Sequence, residues 1–282
     1  MLPADANNQL PRNAAPASAP ARVVTLPTGG TGTARDDSVA VEAPLELRIG
    51  GKPVTVLMRT PGHDEELVTG FLFGEGVIAD ADDIIALDRP ATLNASDRGN
   101  VVDVRLMVSR RAFDVDRPFY SNSSCGICGK KSLAAVEVRG PVADSPLNVS
   151  RGVLGGMPDR LRSAQLVFAE TGGVHASGLF TPAGALVAVR EDVGRHNALD
   201  KIIGWALNEG RVPLADHVLL VSGRVSYELV QKAIAAGIPV LAAVGAPSSL
   251  AVDLATTFGI TLIGFLRAVS MNVYAHPHRV TA

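Results

Sequence analysis

The C-terminal half of the chain alternates short apolar runs with helical segments, and this pattern constrains the fold more than any other feature. Residues 218–221 form an apolar run before a helix that ends at Ala236, and residues 240–244 form another before a helix that ends at Phe258. Residues 261–266 form a third run. Strands buried on both faces are apolar throughout, and parallel strands need helical crossovers between them. The pattern predicts an α/β fold in which helices cover both faces of a mainly parallel sheet.

The N-terminal segments show a different mixture of elements. Residues 45–49 and 54–58 alternate in polarity on either side of Gly50-Gly51, which is typical of a β-hairpin. The acidic run 64–66 suits the first turn of a helix, which we expect to end at Gly74 or Gly76. Residues 101–108 alternate again and predict a strand.

Between these two parts, the pattern predicts a helix from Pro158 to Glu170 and a hairpin that turns at residues 182–184. A helix over about residues 195–207 follows.

These patterns divide the chain into four segments. Residues 1–35 are rich in Ala, Pro, Asn, Thr and Gly and predict a disordered tail. Residues 36–118 predict a smaller N-terminal α+β subdomain, and residues 150–282 predict a C-terminal α/β domain. Residues 119–149, which lack sustained periodicity, predict a mobile loop region that contains the cysteines.

Composition argues against two classes of partner. The formal net charge of −2 does not favour a nucleic-acid protein whose affinity rests on bulk attraction to phosphates. No run of eighteen or more apolar residues is present, so no membrane span is predicted. The first thirty-five residues also lack the apolar core of an export signal. Together with cysteines that resemble reactive thiols more than a disulfide framework, these features predict a cytoplasmic protein.

The only cysteines, Cys125 and Cys128, form a Cys-x-x-Cys loop followed by two lysines. Positive charge beside a thiol favours the thiolate, which is the nucleophilic form. The glycine and lysine neighbours argue against two spare thiols packed as small hydrophobic groups. A zinc site would need two further ligands, and the six histidines show no His-x-x-x-His spacing.

Two redox or transfer roles remain for this loop. A thioredoxin-like pair would begin a helix after an apolar strand, whereas residues 120–124 have the composition of a loop. A sulfur carrier holds sulfur as a cysteine persulfide and passes it to an acceptor. An exposed loop flanked by cations suits this second role.

Two glycine-containing loops follow the apolar runs and suggest a ligand site. Open α/β sheets bind ligands at the carboxyl ends of their strands, where helix N-termini point free amides at anions. Ser222-Gly223-Arg224 offers a hydroxyl and a guanidinium, and Gly245-Ala246-Pro247-Ser248-Ser249 offers two hydroxyls. Each loop alone is equally consistent with an ordinary turn and helix cap. Their predicted convergence at one edge favours a phosphate or pyrophosphate site.

Two polar segments stand out in a chain of this hydropathy. They are Thr171-Gly172-Gly173-Val174-His175-Ala176-Ser177 and Arg190-Glu191-Asp192-Val193-Gly194-Arg195-His196-Asn197. Taken alone, the second is best interpreted as a capped helix start with Asp192 near the N-terminus and Arg195 paired to an acid. His175 alone is consistent with a satisfied core histidine.

Taken together and in this order, these motifs resemble the formate dehydrogenase accessory sulfurtransferase family. The resemblance rests on Cys-Gly-Ile-Cys-Gly-Lys, Thr-Gly-Gly-Val-His-Ala, Glu-Asp-Val-Gly-Arg-His-Asn-Ala-Leu-Asp-Lys and Ser-Gly-Arg-Val-Ser-Tyr-Glu, and it covers about residues 36–280. It implies a cytoplasmic, homodimeric protein. Such a protein takes sulfur from a cysteine desulfurase and delivers it to the molybdenum cofactor of formate dehydrogenase.

The resemblance also implies roles for particular residues. Cys125 matches the persulfide-bearing cysteine, and Cys128 would assist or relay the sulfur. The segment that matches the binding site for bis-molybdopterin guanine dinucleotide consists of Phe265, Leu266, Arg267, Ala268, Val269 and Ser270. Ser222 and Arg224, with the Gly245 loop, are our candidates for the cofactor's phosphates. No resident metal is expected.

Two other functions, deamination and cofactor binding without sulfur transfer, compete with the one that the resemblance implies. The family's large domain is similar to the cytidine deaminase fold, with a mixed sheet and helices on both faces. Deamination needs His-x-Glu followed by Pro-Cys-x-x-Cys, but Ser177 stands where the glutamate belongs and the cysteines precede His175. We therefore reject deamination. A chaperone that binds the cofactor without carrying sulfur remains the alternative.

Overall fold

A computed structural model describes residues 15–90, 99–107 and 142–282 of the chain. Its largest sheet has six strands in the order β13-β12-β11-β10-β8-β9. They span His175–Phe180 (β8), Leu186–Asp192 (β9), Val218–Val221 (β10), Val240–Ala243 (β11), Thr261–Gly264 (β12) and Asn272–Ala275 (β13). The three apolar runs of the sequence are the adjacent parallel strands β10, β11 and β12.

The sheet is mixed, as the family resemblance implies, and the expectation of a mainly parallel sheet is wrong. Strand β8 pairs antiparallel with both β10 and β9, and β13 pairs antiparallel with β12. The reason is the hairpin between β8 and β9, which needs only a short turn at residues 181–185. A parallel pairing would have required a long crossover.

Helices cover both faces of this sheet. Arg195–Asn208 (α4), Tyr227–Ala235 (α5) and Ser249–Thr257 (α6) lie on one face, where Leu199, Leu229 and Leu241 belong to one apolar cluster. Arg151–Ala164 (α2) packs on the other face, where Met157 joins Val240. Burial of these two clusters is the main favourable contribution to folding.

The predicted N-terminal hairpin and helix are confirmed. Ala43–Ile49 (β3) and Lys52–Arg59 (β4) pair antiparallel within a four-stranded sheet of order β4-β3-β6-β5, and Asp64–Gly74 forms α1. The other two strands are Ile84–Asp88 (β5) and Val101–Leu106 (β6). Helix α1 fills the core of this part and also packs along α4.

The predicted tail is structured in its described part. Ser18–Thr25 (β1) and Thr33–Ala40 (β2) pair antiparallel along their whole length. Ser18 Oγ donates to Glu170 on the short helix Leu166–Thr171 (α3) at 2.7 Å. The expectation of disorder is therefore wrong for residues 18–35, because the pairing of β1 with β2 and the contact between Ser18 and Glu170 hold them in a defined structure.

The helix predicted over 158–170 begins earlier and is interrupted. Ser150 caps α2 by accepting from Val153 N at 3.3 Å, so the helix starts seven residues before Pro158. It ends at Ala164, and α3 follows because the Glu191 carboxylate accepts from the amides of Val167 and Phe168 at 3.0 and 2.9 Å.

The end of the predicted mobile region is anchored. Arg279, which is buried, donates to the carbonyl oxygens of Ala143 and Ser145 at 2.9 and 3.2 Å. Val149–Ser150 (β7) then pairs parallel with Val280–Thr281 (β14). Residues 143–149 are thus fixed to the C-terminus. In the described ranges, no helix has the length and apolar character needed to cross a membrane.

Candidate functional site

Four strands of the large sheet end at the same edge. Strands β10, β11 and β12 run parallel, and β9 has the same direction because both β9 and β10 pair antiparallel with β8. Helices α4, α5 and α6 begin directly after β9, β10 and β11. Their N-terminal amides therefore face this edge, which gives it a positive electrostatic potential.

The loops after β10, β11 and β12 are hydrogen-bonded to one another. Gly245 N donates to Gly223 O, and Phe265 N donates to Gly245 O, both at 3.0 Å. A Cβ atom at Gly245 would lie 2.7 Å from Gly223 O, so only glycine permits this approach. The structure thus brings together the loops that the sequence predicted to converge.

Ser222 and Arg224 have different environments within this edge. Ser222 Oγ accepts from Ala176 N at 2.9 Å, so its hydroxyl joins the loop to β8. Arg224 is exposed, and within the described residues its guanidinium has no hydrogen bond or ion pair. Arg224 is therefore free to bind an anion, whereas the Ser222 hydroxyl already holds its loop against β8.

The segment 265–270 lies across the same edge. Phe265 is 44% exposed and has a φ of 51°, a left-handed conformation that non-glycine residues rarely adopt. Leu266 is fully buried in the core, so only its backbone is available to a ligand. Arg267 Nη1 donates to the carbonyl oxygens of Val244 and Leu266, both at 2.8 Å, and its side chain remains exposed.

The remaining residues of this segment complete its path. Ala268 O contacts α2 at Gly155, where a Cβ atom would lie only 2.5 Å away. Val269 is 96% exposed, and Ser270 O accepts from Arg267 N at 2.8 Å. The segment is therefore a folded turn with an exposed apolar tip. Cys125 and Cys128 lie outside the described residues.

A cleft of about 560 Å³ opens beside this edge, on the face covered by α2. Its lining includes Ser222, Val244, His175, Phe168 and Arg162. The Arg162 guanidinium lies 4.0 Å from the centre of the Phe168 ring, a cation–π contact. The cleft thus offers an aromatic wall and a cation next to the loops.

Positive charge dominates the edge near His175. Burial and the guanidinium groups of Arg195 and Arg224 lower the pKa of His175 below its ordinary value. The His175 ring also lies 3.3 Å from where a Cβ atom of Gly223 would stand. The Asp192 carboxylate opposes this shift but does not outweigh it, so positive charge prevails around His175, which suits an anionic ligand.

Much of the polar segment 190–197 connects the two parts of the chain. Asp192 is fully buried and pairs with Lys201 Nζ at 2.8 Å, and it accepts from Gly194 N at 2.8 Å and Thr60 N at 3.1 Å. Helix α4 begins in this segment with Gly194 at its N-cap, but within the described residues no side chain caps it, so the predicted cap is wrong. Within the described residues, no group of three or more His, Cys, Asp or Glu side chains is arranged for a metal ion.

A polar cluster between α4 and α5 was not predicted from the sequence. His196 Nε2 lies 3.1 Å from Ser226 Oγ and 3.4 Å from Glu228 Oε2. Glu228 Oε1 is 3.6 Å from Lys232 Nζ, which pairs with Asp200 Oδ1 at 2.7 Å. Glu228 and Lys232 are four residues apart on α5, but the contacts of His196 with Ser226 and of Asp200 with Lys232 span about thirty residues and two helices, so only the fold brings them together.

Acidification is expected to destabilise the fold through His196. Burial, reinforced by the charges of Arg195 and Lys232, lowers the pKa of His196 to about 3. The folded protein therefore keeps this ring neutral while the unfolded chain binds a proton, so stability is lost as the pH falls below about 6.5. Between pH 7 and pH 5 this residue should cost about 2 kcal/mol of unfolding free energy.

Urea unfolding of the wild type and His196→Gln at both pH values measures this effect. The glutamine variant should lose about 2 kcal/mol less on acidification, because it has no imidazole to protonate. Equal losses would assign the acid sensitivity to other groups.

The fold and its edge define a class: a mixed α/β protein in which loops and helix N-termini meet at the carboxyl ends of the parallel strands. Comparison with known proteins makes the assignment specific. Residues 40–281 match the model of the FdhD/NarQ family, and the chain belongs to that family. This confirms the resemblance identified from the motifs, over nearly the same residues.

Curated relatives agree with this assignment. A protein of Mycobacterium tuberculosis named sulfur carrier protein FdhD is 56% identical over 256 residues, which cover 88% of this chain and 93% of the relative. One of the same name from Sulfolobus acidocaldarius is 45% identical over 245 residues, covering 87% and 92%. A solved structure described as a formate dehydrogenase accessory protein of Desulfotalea psychrophila is 27% identical, with a TM-score of 0.74 over 94% of this chain and all of that one.

Proposed function

We propose that this chain is a sulfur carrier that serves formate dehydrogenase. The observation that carries the proposal is that the family match, over residues 40–281, includes the chain's only two thiols, Cys125 and Cys128. The similarity to proteins named sulfur carrier, and to one described as a formate dehydrogenase accessory protein, supports the same role. No other side chain of this sequence can hold sulfur as a persulfide.

The first chemical step is a persulfide exchange. The Cys125 thiolate attacks the terminal sulfur of a donor persulfide, the donor's S–S bond breaks, and the donor leaves as a thiolate. The donor is a cysteine desulfurase. Cys125 then bears the terminal sulfur, and no net oxidant or reductant is consumed.

Release of the sulfur follows one of two routes. In one, an external reductant cleaves the persulfide. In the other, the Cys128 thiolate attacks Cys125 Sγ, which expels hydrosulfide and leaves a Cys125–Cys128 disulfide that a thiol must reduce. Both routes regenerate Cys125.

The acceptor is the molybdenum cofactor in its bis-molybdopterin guanine dinucleotide form, which is the protein's substrate and not a resident group. Its pyrophosphates fit the cationic edge formed by Arg224, Arg267 and the N-termini of α4 and α5. The exposed tip at Phe265 and Val269 can contact the rest of the ligand. The cleft beside Ser222 adds a concave surface of suitable size.

Further features of the proposal come from the family resemblance alone. The protein would act in the cytoplasm as a homodimer, and its large domain would share the cytidine deaminase fold. Formate dehydrogenase would be the partner that receives the completed cofactor.

The alternative is a chaperone that binds the cofactor without carrying sulfur, which the cationic edge would explain equally well. Intact-mass spectrometry after incubation with a cysteine desulfurase and cysteine separates the two. The wild type and Cys128→Ala should gain about 32 Da, the mass of one sulfur, and a thiol reductant should remove it. Cys125→Ala should gain nothing. If the wild type stays unmodified while the same cysteine desulfurase loads sulfur onto a second acceptor protein, the chaperone is favoured.

A further inference from the structure

Ser226 occupies the N-cap position of α5 but does not cap it. Its backbone is extended, with φ −99° and ψ 170°, as an N-cap requires, yet its hydroxyl makes no bond to an amide of α5 in the described structure. A serine here normally accepts from an amide of the first turn. The hydroxyl lies instead 3.1 Å from His196 Nε2 on α4.

Two other helices show the ordinary arrangement in the same chain. Ser248 Oγ accepts from Ala251 N at the start of α6, and Ser150 Oγ accepts from Val153 N at the start of α2, both at 3.3 Å. The backbone of Ser226 resembles theirs, so a rotation about its side-chain bond suffices for capping. What differs at α5 is the presence of His196.

His196 lies at one end of a buried polar chain. Glu228 Oε2 is 3.4 Å from its Nε2, and Glu228 Oε1 faces Lys232, which pairs with Asp200 inside the core. His196, Lys232 and Asp200 are each at most 8% exposed. The low pKa of His196 keeps the ring uncharged, so its hydrogen bond to Ser226 persists across the neutral pH range.

The start of α5 lies within the cationic edge. Ser226 follows Arg224 by two residues, and the charges of Arg224 and Arg195 both act on His175. On the same face of β8, two residues from His175, the Ser177 hydroxyl is 1% exposed and has no hydrogen-bond partner among the described residues. Within the described residues, the protein therefore leaves one buried hydroxyl, that of Ser177, without a hydrogen-bond partner at this edge.

We propose that His196 is a positioning residue that draws the Ser226 hydroxyl away from the first turn of α5, so that its amides remain available to a phosphate oxygen of the ligand. The inference rests on the proposed function, which places the cofactor's pyrophosphates at this edge. Three groups then converge on that phosphate: the amides of α5, the Arg224 side chain, and Arg195 near His175.

The test measures binding of guanosine diphosphate, which carries the base and pyrophosphate of the cofactor, by isothermal titration calorimetry on the full chain. Guanosine, which has no phosphate, is the control ligand. In His196→Leu the serine is released to cap α5, and affinity for guanosine diphosphate should fall about tenfold. Guanosine binding should change by less than about twofold.

Removal of the competing hydroxyl should reverse the loss. His196→Leu/Ser226→Ala has no serine to cap α5, so its affinity should return to within about threefold of the wild type. His196→Gln, whose amide can still bond to Ser226, should also bind within about threefold of the wild type. Thermal unfolding of each variant confirms that it is folded.

The outcomes separate the two claims. If the double variant binds as weakly as His196→Leu, then His196 has only a packing role and the inference is overturned. If the wild type binds no guanosine diphosphate but still gains sulfur from a desulfurase, the sulfur-carrier proposal survives while this inference fails. If the wild type gains no sulfur but the rescue occurs, the proposed function fails and the positioning role stands.

Discussion

Cells whose only copy of this protein carries Cys125→Ala should show no formate dehydrogenase activity above that of cells without the protein. Alanine has no sulfur, and the resemblance assigns the persulfide to Cys125 and an assisting or relay role to Cys128. The purified variant should nevertheless bind guanosine diphosphate within about twofold of the wild type, because no cationic group of the edge is altered. Formate oxidation in extracts and calorimetry on the purified protein provide the two measurements.

Two comparisons make this result specific. Cys125→Ser keeps the size and polarity of the side chain but not its sulfur chemistry, so it should be as inactive as Cys125→Ala. Cys128→Ala should retain measurable activity if an external reductant releases the sulfur and should lose it if Cys128 performs the release. Full formate dehydrogenase activity with Cys125→Ala would refute the carrier and leave the chaperone.

The edge of the large sheet was predictable because its signals are local. Continuous apolar runs such as Val218–Val221 identify strands that are buried on both faces, and Ser222 to Arg224 directly follow the first of them. Strand direction then places such loops together without knowledge of any side-chain contact. The motifs extended this prediction to the family, and the family match confirmed it.

The parts that the sequence did not predict depend on long-range contacts. The break between α2 and α3 is stabilised by Glu191, more than twenty residues away on β9. The pairing of His196 with Ser226 spans thirty positions, and each residue alone has the appearance of an ordinary helix start. No periodicity or local propensity encodes such contacts, since they follow from the packing of α4 against α5.

The junction between the two parts of the chain is a second long-range feature, and it rests on two glycines. Helices α1 and α4 cross so closely that a Cβ atom at Gly204 would lie 1.9 Å from Glu66 O. A Cβ atom at Gly70 would lie at the same distance from Asp200 O. Both obstacles are backbone atoms of the facing helix, so no side-chain rotation can relieve them.

Gly204→Ala should therefore destabilise the protein by about 3 kcal/mol, because the added methyl group forces the two helices apart and disturbs the buried pairs beside them. Gly152 in α2 is the matched control, since it is also a helical glycine but has no atom within 4 Å of its would-be Cβ. Gly152→Ala should stabilise the protein by up to about 1 kcal/mol, as alanine favours the helix over glycine. Urea unfolding of both variants measures the difference. If both substitutions shift the urea midpoint in the same direction, the close packing of α1 and α4 does not depend on Gly204. Opposite shifts would show that Gly204 allows the N-terminal part to pack against α4, the helix that carries His196.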